Sequence, residues 1–573
     1  MSINNRFFLL SFLIVLFLLS ACRQGPAPLS KIEKNVVANQ AMVVSAHPLA
    51  SEIGAEILRK GGNAVDAAVA VQFAIAVVYP RAGNIGGGGF MVIRTAEGEH
   101  ATLDYREKAP AASERDMYLD EEGNVINGLS RNGHLAVGVP GTVDGLLTAL
   151  ERYGTIKDLK TILNPAIKLA KNGFLISAVE AKRLNHFQDD FRKYNTDDSP
   201  FVKPEAWKES DAIVQKKLAA TLKRIQKNGR AGFYQGETAE LIVAEMNRGN
   251  GIITLEDLGN YQSTWRDPIE TQYKDMTIIS MPPSSSGGVA LTQLLELVEP
   301  YPLSEWGFQS KESVHLIVEA ERRVYADRAQ HLGDMDYYDV PIDSLMNPDY
   351  LQERMADFDA TQATVSDAIF AGDFTPSLES FETTHTSIID EQGNAVSVTT
   401  TLNSNYGSKV FTHGAGFFLN NEMDDFSAKP GVPNQFGLVG NEANAIQPGK
   451  RMLSSMTPTI VERNGKVFMV LGAPGGSTII TAVFQVLINV AEFGMDLQEA
   501  VNAPRFHHQW LPDHIKVEAD AIKPEVRAEL EAMGHQFQEV NYMAVVKAIH
   551  VLPNGDLQGV GDPRNPDDDA EGY

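Results

Sequence analysis

Phe381-Glu382-Thr383-Thr384-His385-Thr386-Ser387-Ile388-Ile389-Asp390, followed by Thr399-Thr400-Thr401-Leu402-Asn403, is the stretch on which the reading of this chain turns. Before it, Ala356 to Glu382 is polar, acidic and weakly periodic, and reads as loop. After it, Ser387 to Asp390 and Ala395 to Thr401 are β-branched runs split by Glu391-Gln392-Gly393-Asn394, the pattern of a hairpin. A loop thus delivers Thr383 directly onto the first strand of a sheet. If the bond before Thr383 breaks, its hydroxyl and its own freed α-amine sit on one residue, nucleophile beside base. An α-amine has a pKa of about 7.7–8.0, so a useful fraction is neutral near pH 7, where a lysine is charged. That placement suits a self-cleaving enzyme.

Further words follow in order: Leu419-Asn420-Asn421-Glu422-Met423-Asp424-Asp425-Phe426, Arg451-Met452-Leu453-Ser454-Ser455-Met456 and Gly472-Ala473-Pro474-Gly475-Gly476-Ser477. Together with Thr383-Thr384-His385 and Thr401-Leu402-Asn403, they resemble the γ-glutamyltransferase family of N-terminal-nucleophile hydrolases. The resemblance runs from about Val43 to Tyr573. It implies a four-layer αββα sandwich, an α/β (α+β) fold, with added helices from a large subunit. It also implies autocleavage between Glu382 and Thr383, giving a large subunit (41–382) and a small one (383–573) that form one catalytic unit.

Residues 1–21 read as a secretory signal: one charge at Arg6, an apolar run from Phe7 to Leu19, then small residues. The run is shorter than the ~20 residues a membrane-spanning helix needs. Leu19-Ser20-Ala21-Cys22 resembles the bacterial lipoprotein signal, which implies lipidation of Cys22 and a membrane-tethered enzyme facing the periplasm. Residues 22–40 read as a tether. Cys22 is the only cysteine, so no disulfide can form within the chain. At 573 residues, 43% hydrophobic and 21% charged, the chain has ample material for a core. A net charge of −25, spread rather than blocked, argues against nucleic acid and against electrostatic attraction to anionic lipid.

Along the chain, Met42 to Ser45 reads as a strand, and His47 to Lys60 as a helix stopped by Gly61-Gly62. Asn63 to Val78 reads as a helix apolar nearly all round, hence buried. Gly86-Gly87-Gly88-Gly89 lacks the Gly-Lys-Ser/Thr ending of a phosphate loop and reads as close backbone packing before the hairpin Phe90–Thr95 and Ala101–Tyr105. Val143 to Leu332 reads as mainly helical, covering a sheet and carrying no chemistry; Leu316, Ile317, Ala320 and Val324 mark one amphipathic face. Pro282-Pro283-Ser284-Ser285-Ser286-Gly287-Gly288 is not a nucleophile elbow and reads as a strand-to-helix turn. Val467 to Gly472 reads as a strand and Ser477 to Val490 as a helix. The glycine pair between them leaves amides free to donate, as an oxyanion hole or as a plain turn. His507-His508 lacks the spacing of a metal site, and neither metal nor cofactor is expected.

The resemblance assigns the remaining roles. Thr383 attacks the carbonyl of Glu382 in the precursor and a γ-glutamyl amide such as glutathione in the mature enzyme. Thr401 hydrogen-bonds the nucleophile, and the amides of Gly475 and Gly476 receive the developing oxyanion. Arg106, in Asp104-Tyr105-Arg106-Glu107-Lys108-Ala109-Pro110, holds the substrate α-carboxylate with Ser454 and Ser455, a task that suits the planar guanidinium fork. Asn403, Glu422 and Asp425 hold the α-ammonium, although an acidic run such as Glu422 to Asp425 would by itself also fit a solvated loop. Lys429 to Gly440 corresponds to a lid loop, with Phe436 as its aromatic residue. Water, an amino acid or a peptide then removes the glutamyl group. Two alternatives remain open on the sequence: a related acylase cutting glutaryl or other amides, and a non-catalytic, lipid-anchored binding protein.

Overall fold

The computed structural model describes residues 25–196, 199–369, 383–429, 431–435 and 437–573. Cys22, Glu382 and Phe436, to which the sequence assigns roles, lie outside the described residues.

Thr383–Ile389 is a strand that begins at the nucleophile, four residues before the β-branched run alone marks it, and it pairs antiparallel with Ala395–Thr401. These two lie near the middle of a seven-stranded antiparallel sheet. Its order is Asp569–Gly572, Met42–Ser45, Thr383–Ile389, Ala395–Thr401, Gly88–Arg94, His100–Asp104 and Thr264–Arg266. A second seven-stranded antiparallel sheet runs Asn35–Ala38, Leu557–Gly561, Lys547–Val551, Lys466–Gly472, Thr459–Arg463, Met276–Ser280 and Ile269–Tyr273.

The two sheets lie face to face, with Met42, Val44, Val92, Ile279, Ile389, Ile460, Val470 and Ile549 packed between them. Helices cover the outer faces: Pro48–Arg59 and Ala64–Val78 on the nucleophile's sheet, Gly287–Val298 and Thr478–Ala491 on the second. This is the expected four-layer αββα sandwich.

The central strands are buried on both faces, so their side chains alternate between two dry environments. Gln72 of the Ala64–Val78 helix donates to Thr386 Oγ1 at 3.2 Å, whereas Ser387 Oγ donates across to the Lys547 carbonyl of the second sheet at 3.1 Å. Ala64–Val78 is buried along its whole length because its many Ala and Val side chains let it approach the sheet closely. Asn63 caps it in a reciprocal box with Asp66.

The glycine run before Gly88–Arg94 is a backbone-packing device, as expected. A Cβ on Gly87 would stand 2.1 Å from the Thr401 carbonyl oxygen, and one on Gly86 2.2 Å from that of Phe418. One reading needs an addition and one a correction. The Val143–Leu332 region contains the strands Ile269–Tyr273 and Met276–Ser280, which are an edge of the second sheet; the helical periodicity on either side hid two five-residue strands. Asn35–Ala38, inside the segment read as a tether, is the opposite edge strand, half-exposed and held through Leu557–Gly561. An edge strand buries too little apolar surface to show in composition.

Candidate active site

Thr383 stands directly opposite Thr401 in the strand register, which brings the two hydroxyls to 3.4 Å. Thr401 Oγ1 also accepts from the Asn403 amide at 2.7 Å, so the hydroxyl facing the nucleophile is fixed by the chain two residues on. Asn403 takes a left-handed conformation (φ 72°) and its Nδ2 donates to the Asn421 carbonyl at 3.1 Å, tying the strand end to the Asn420–Phe426 run. His385 points instead into the space between the sheets, against Gly472, with hydrogen bonds to Thr399 and Ser387. Burial holds its pKa well below the ordinary value, so it is a neutral packing residue.

A narrow cleft opens beside Thr383. It is lined by Thr401, Asn403, Arg106, Glu422, Asp425, Ser454, Ser455 and Gly476, so eight of the residues picked from the sequence share one wall system with the nucleophile. Gly475 does not line the cleft: a Cβ there would meet Ala544 Cα at 2.7 Å. Gly475 and Gly476 both carry positive φ (149° and 56°), and among the described residues neither amide has a hydrogen-bond acceptor.

Glu422–Asp425 forms one turn of 3-10 helix. With three residues per turn, positions 422 and 425 fall on one face. That face meets Arg106, which is almost wholly buried: its Nη1 lies 2.8 Å from Glu422, and its Nη2 pairs with Asp425. Asp424, between them, is turned away to Ser130 and to the Gln435 amide at 3.1 Å, and so anchors the segment after it. From that segment Asn434 and Leu438 reach the cleft.

Burial raises the pKa values of Glu422 and Asp425 against the pull of Arg106. Burial likewise pushes Glu107, next to Arg106, up to about 8. Burial opposes the charge of Arg106, but Glu422 and Asp425 hold its pKa above the ordinary value. The groups assigned to the two poles of a zwitterion thus pair with one another in this structure. Asp425 Oδ1 remains buried with no hydrogen-bond partner among the described residues.

Ser454 and Ser455 are held against the Pro282–Gly288 turn: Ser454 N donates to the Ser284 carbonyl at 2.9 Å, and Ser286 N to the Ser454 carbonyl at 2.8 Å. The sequence reading missed Arg328, Leu453, Met456 and Ile479, which also line the cleft. Arg328 brings the region read as a covering without chemistry to the wall of the cleft. Its signal was present, because 320, 324 and 328 continue one helical stripe of i, i+4 steps, so a buried arginine was due where the apolar face ran on. His507 and His508 diverge as expected from adjacent residues, to Thr481 and to Asp513.

The family model described as gamma-glutamyltranspeptidase matches residues 50–572. The chain is 46% identical over 549 residues to a glutathione hydrolase proenzyme of Pseudomonas sp. (strain A14), covering 94% of this chain and 95% of that protein. Among solved structures, a cephalosporin acylase from Bacillus halodurans superposes with a TM-score of 0.82 at 25% identity, over 95% of this chain and 98% of the other. The γ-glutamyltranspeptidase of Helicobacter pylori gives 0.56 at 46% identity, over 60% of this chain and 96% of the other. A threonine opening a central strand of an αββα sandwich, beside a cleft with paired charges, thus coincides with a match along nearly the whole sequence: the chain belongs to the gamma-glutamyltranspeptidase family.

Proposed function

We propose that the protein is a self-processing γ-glutamyltransferase and glutathione hydrolase. The observation that carries this reading is the convergence of Thr383 with both signs of buried charge in one cleft. In the precursor, the Thr383 hydroxyl attacks the Glu382 carbonyl; the acyl group moves from nitrogen to oxygen, and water cleaves the resulting ester. The large chain then ends at Glu382, and Thr383 begins the small one with a free α-amine.

In the mature enzyme that amine takes the hydroxyl proton as Thr383 Oγ1 attacks the γ-carbonyl of the donor. Thr401 orients the hydroxyl. The amide of Gly476, which lines the cleft, supplies a donor for the oxyanion, with that of Gly475 behind it on the same strand-to-helix turn, which holds them in place before charge develops. Collapse expels the donor's amine, which takes the proton back, and leaves a γ-glutamyl ester. Water, an amino acid or a peptide then attacks this ester by the same route. The glutamyl head enters as a zwitterion: its carboxylate goes to Arg106, Ser454 and Ser455, and its ammonium to Glu422, Asp425 and Asn403.

The fold likeness to a cephalosporin acylase keeps an acylase as the second reading. Two buried carboxylates facing the cleft favour the first, since a glutaryl substrate has no cation for them and brings only a carboxylate to a site where Arg106 is already engaged by both. The Leu19-Ser20-Ala21-Cys22 word supports lipid anchoring on the periplasmic side of a bacterial membrane. No described helix is long and apolar enough to cross one.

The test is electrophoresis, mass spectrometry and a γ-glutamyl anilide assay on one preparation. The parent should appear as two chains cut at Glu382–Thr383 and release the aniline, whereas Thr383→Ala should stay whole and inactive. Cleavage of Thr383→Ala at the same bond would assign the cut to another protease and sink the reading.

A further inference from the structure

We propose that Arg328 is a specificity-determining positioning residue, which fixes the Ser454–Ser455 pair and sets a second positive charge behind the site of the substrate α-carboxylate. The inference rests on the γ-glutamyl reading above.

Arg328 lies near the end of the long helix Lys311–His331, is 4% exposed, and lines the cleft. Among the described residues its guanidinium makes two hydrogen bonds, both to serines: Nη2 to Ser455 Oγ at 3.0 Å and Nε to Ser286 Oγ at 2.9 Å. Ser286 Oγ passes the contact on, donating to the Ser454 carbonyl at 2.7 Å. One planar fork therefore holds both the side chain of Ser455 and the backbone of Ser454. Because Ser455 Oγ accepts from Arg328, its own O–H is released to donate elsewhere. Ser454 is prepared in the same way, its Oγ accepting from the Met456 amide at 3.1 Å. Two hydroxyls whose acceptor roles are already filled make a donor pair for an anion.

The charges point the same way. Other arginines of this helix have carboxylate partners: Arg323 lies 2.7 Å from Glu319 and 2.7 Å from Asp357, and Arg322 lies 3.4 Å from Glu319. Arg328 makes no ion pair among the described residues. Burial lowers its pKa to about 10 against the pull of Tyr325 and Asp425, so it is still charged at neutral pH. With Arg328 counted, the cleft sets two guanidiniums against Glu422 and Asp425. A zwitterion can enter such a quartet without a net charge penalty: its ammonium meets two carboxylates and its carboxylate meets two cations. Arg106 alone, already engaged by both acids, would leave the site net negative toward an incoming carboxylate.

Two anilides isolate the effect. The 4-aminobutyryl anilide is the γ-glutamyl anilide without its α-carboxylate. Arg328→Met, neutral and similar in length, should lower kcat/KM for the γ-glutamyl anilide by roughly 10- to 100-fold, the scale of one hydrogen-bonded charge, mainly through KM. It should leave the slower 4-aminobutyryl anilide within about 3-fold, rates being normalised to cleaved chain. Arg328→Lys, which keeps the charge but not the fork, should show the same selective loss to a smaller degree. Should Arg328→Met not mature, the lysine variant carries the comparison. The Arg328→Met/Ser455→Ala double variant should lose less than the product of the two single losses, because the two residues share one contact, yet more than Ser455→Ala alone, because the charge and the Ser286 relay are lost as well.

Equal losses on both anilides would mean that Arg328 only holds the fold, and unchanged kinetics on both would mean that it does nothing for the carboxylate; either overturns the proposal alone. A parent enzyme that does not distinguish the two anilides overturns the γ-glutamyl reading and this proposal with it.

Discussion

Asp425→Asn should convert the enzyme's preference between a γ-glutamyl anilide and a glutaryl anilide, which differ only in the α-ammonium. The change is nearly isosteric: asparagine Oδ1 can still accept from Arg106, and Glu422 still faces that guanidinium at 2.8 Å. What disappears is one of two buried negative charges available to the ammonium, including the Asp425 Oδ1 atom that has no other partner among the described residues. Truncating one member of a buried charge pair costs about 2–5 kcal/mol. Glu422 remains, so the lower part of that range, about 2–3 kcal/mol, applies. At about 1.4 kcal/mol per tenfold, kcat/KM for the γ-glutamyl anilide should fall roughly 30- to 150-fold. The glutaryl anilide should be turned over no worse, because it never used the ammonium site. Steady-state kinetics on both substrates with one preparation give the ratio, and any change in maturation or folding cancels from it. An unchanged ratio would refute the ammonium assignment, and equal turnover of the two anilides by the parent would favour the acylase.

Gly87→Ala should destabilise the chain by about 1–3 kcal/mol and slow autocleavage, because its Cβ would press on the Thr401 carbonyl at 2.1 Å; urea unfolding and a maturation time course measure both. Stability should fall as pH drops from about 6.5 toward 4. His47, His508 and His550 are each held near about 4 by burial, so the unfolded chain takes up protons first across that window, and the stability they contribute is complete above it. Urea midpoints that do not change from pH 7 to 4.5 would contradict this. Cys22→Ala should abolish incorporation of labelled fatty acid in a bacterial host and move active enzyme to the soluble fraction, whereas retention as firm as the parent's would dismiss the anchor.

The sequence determined the parts of this protein that depend on local order. A polar run meeting a β-branched run placed Thr383 at a strand start, whereas Thr401 came from the resemblance, and its place directly opposite Thr383 is set by the loop of Asp390 to Asn394 seen in the structure. The glycine run announced close backbone approach, and the unbroken apolar character of Ala64–Val78 announced a buried helix. The acidic run Glu422 to Asp425 stayed ambiguous, since sequence does not say whether such residues adopt a turn of three per revolution or lie in solvent. Only the 3-10 turn separates Glu422 and Asp425, facing Arg106, from Asp424, facing Ser130.

What tertiary structure alone decided is what comes from far along the chain. The edge strands Asn35–Ala38 and Ile269–Tyr273 exist because partners hundreds of residues away or across a turn complete their hydrogen bonds, and neither has the hydrophobic content to be read in isolation. Arg328 sits in a helix that periodicity describes as scaffold. It becomes part of the cleft because the Ser454–Ser455 loop and the Pro282–Gly288 turn fold onto that helix's end. A charge acquires a role from the dielectric and the partners around it, and those are properties of the packed molecule, set here by residues 42 and 127 positions away.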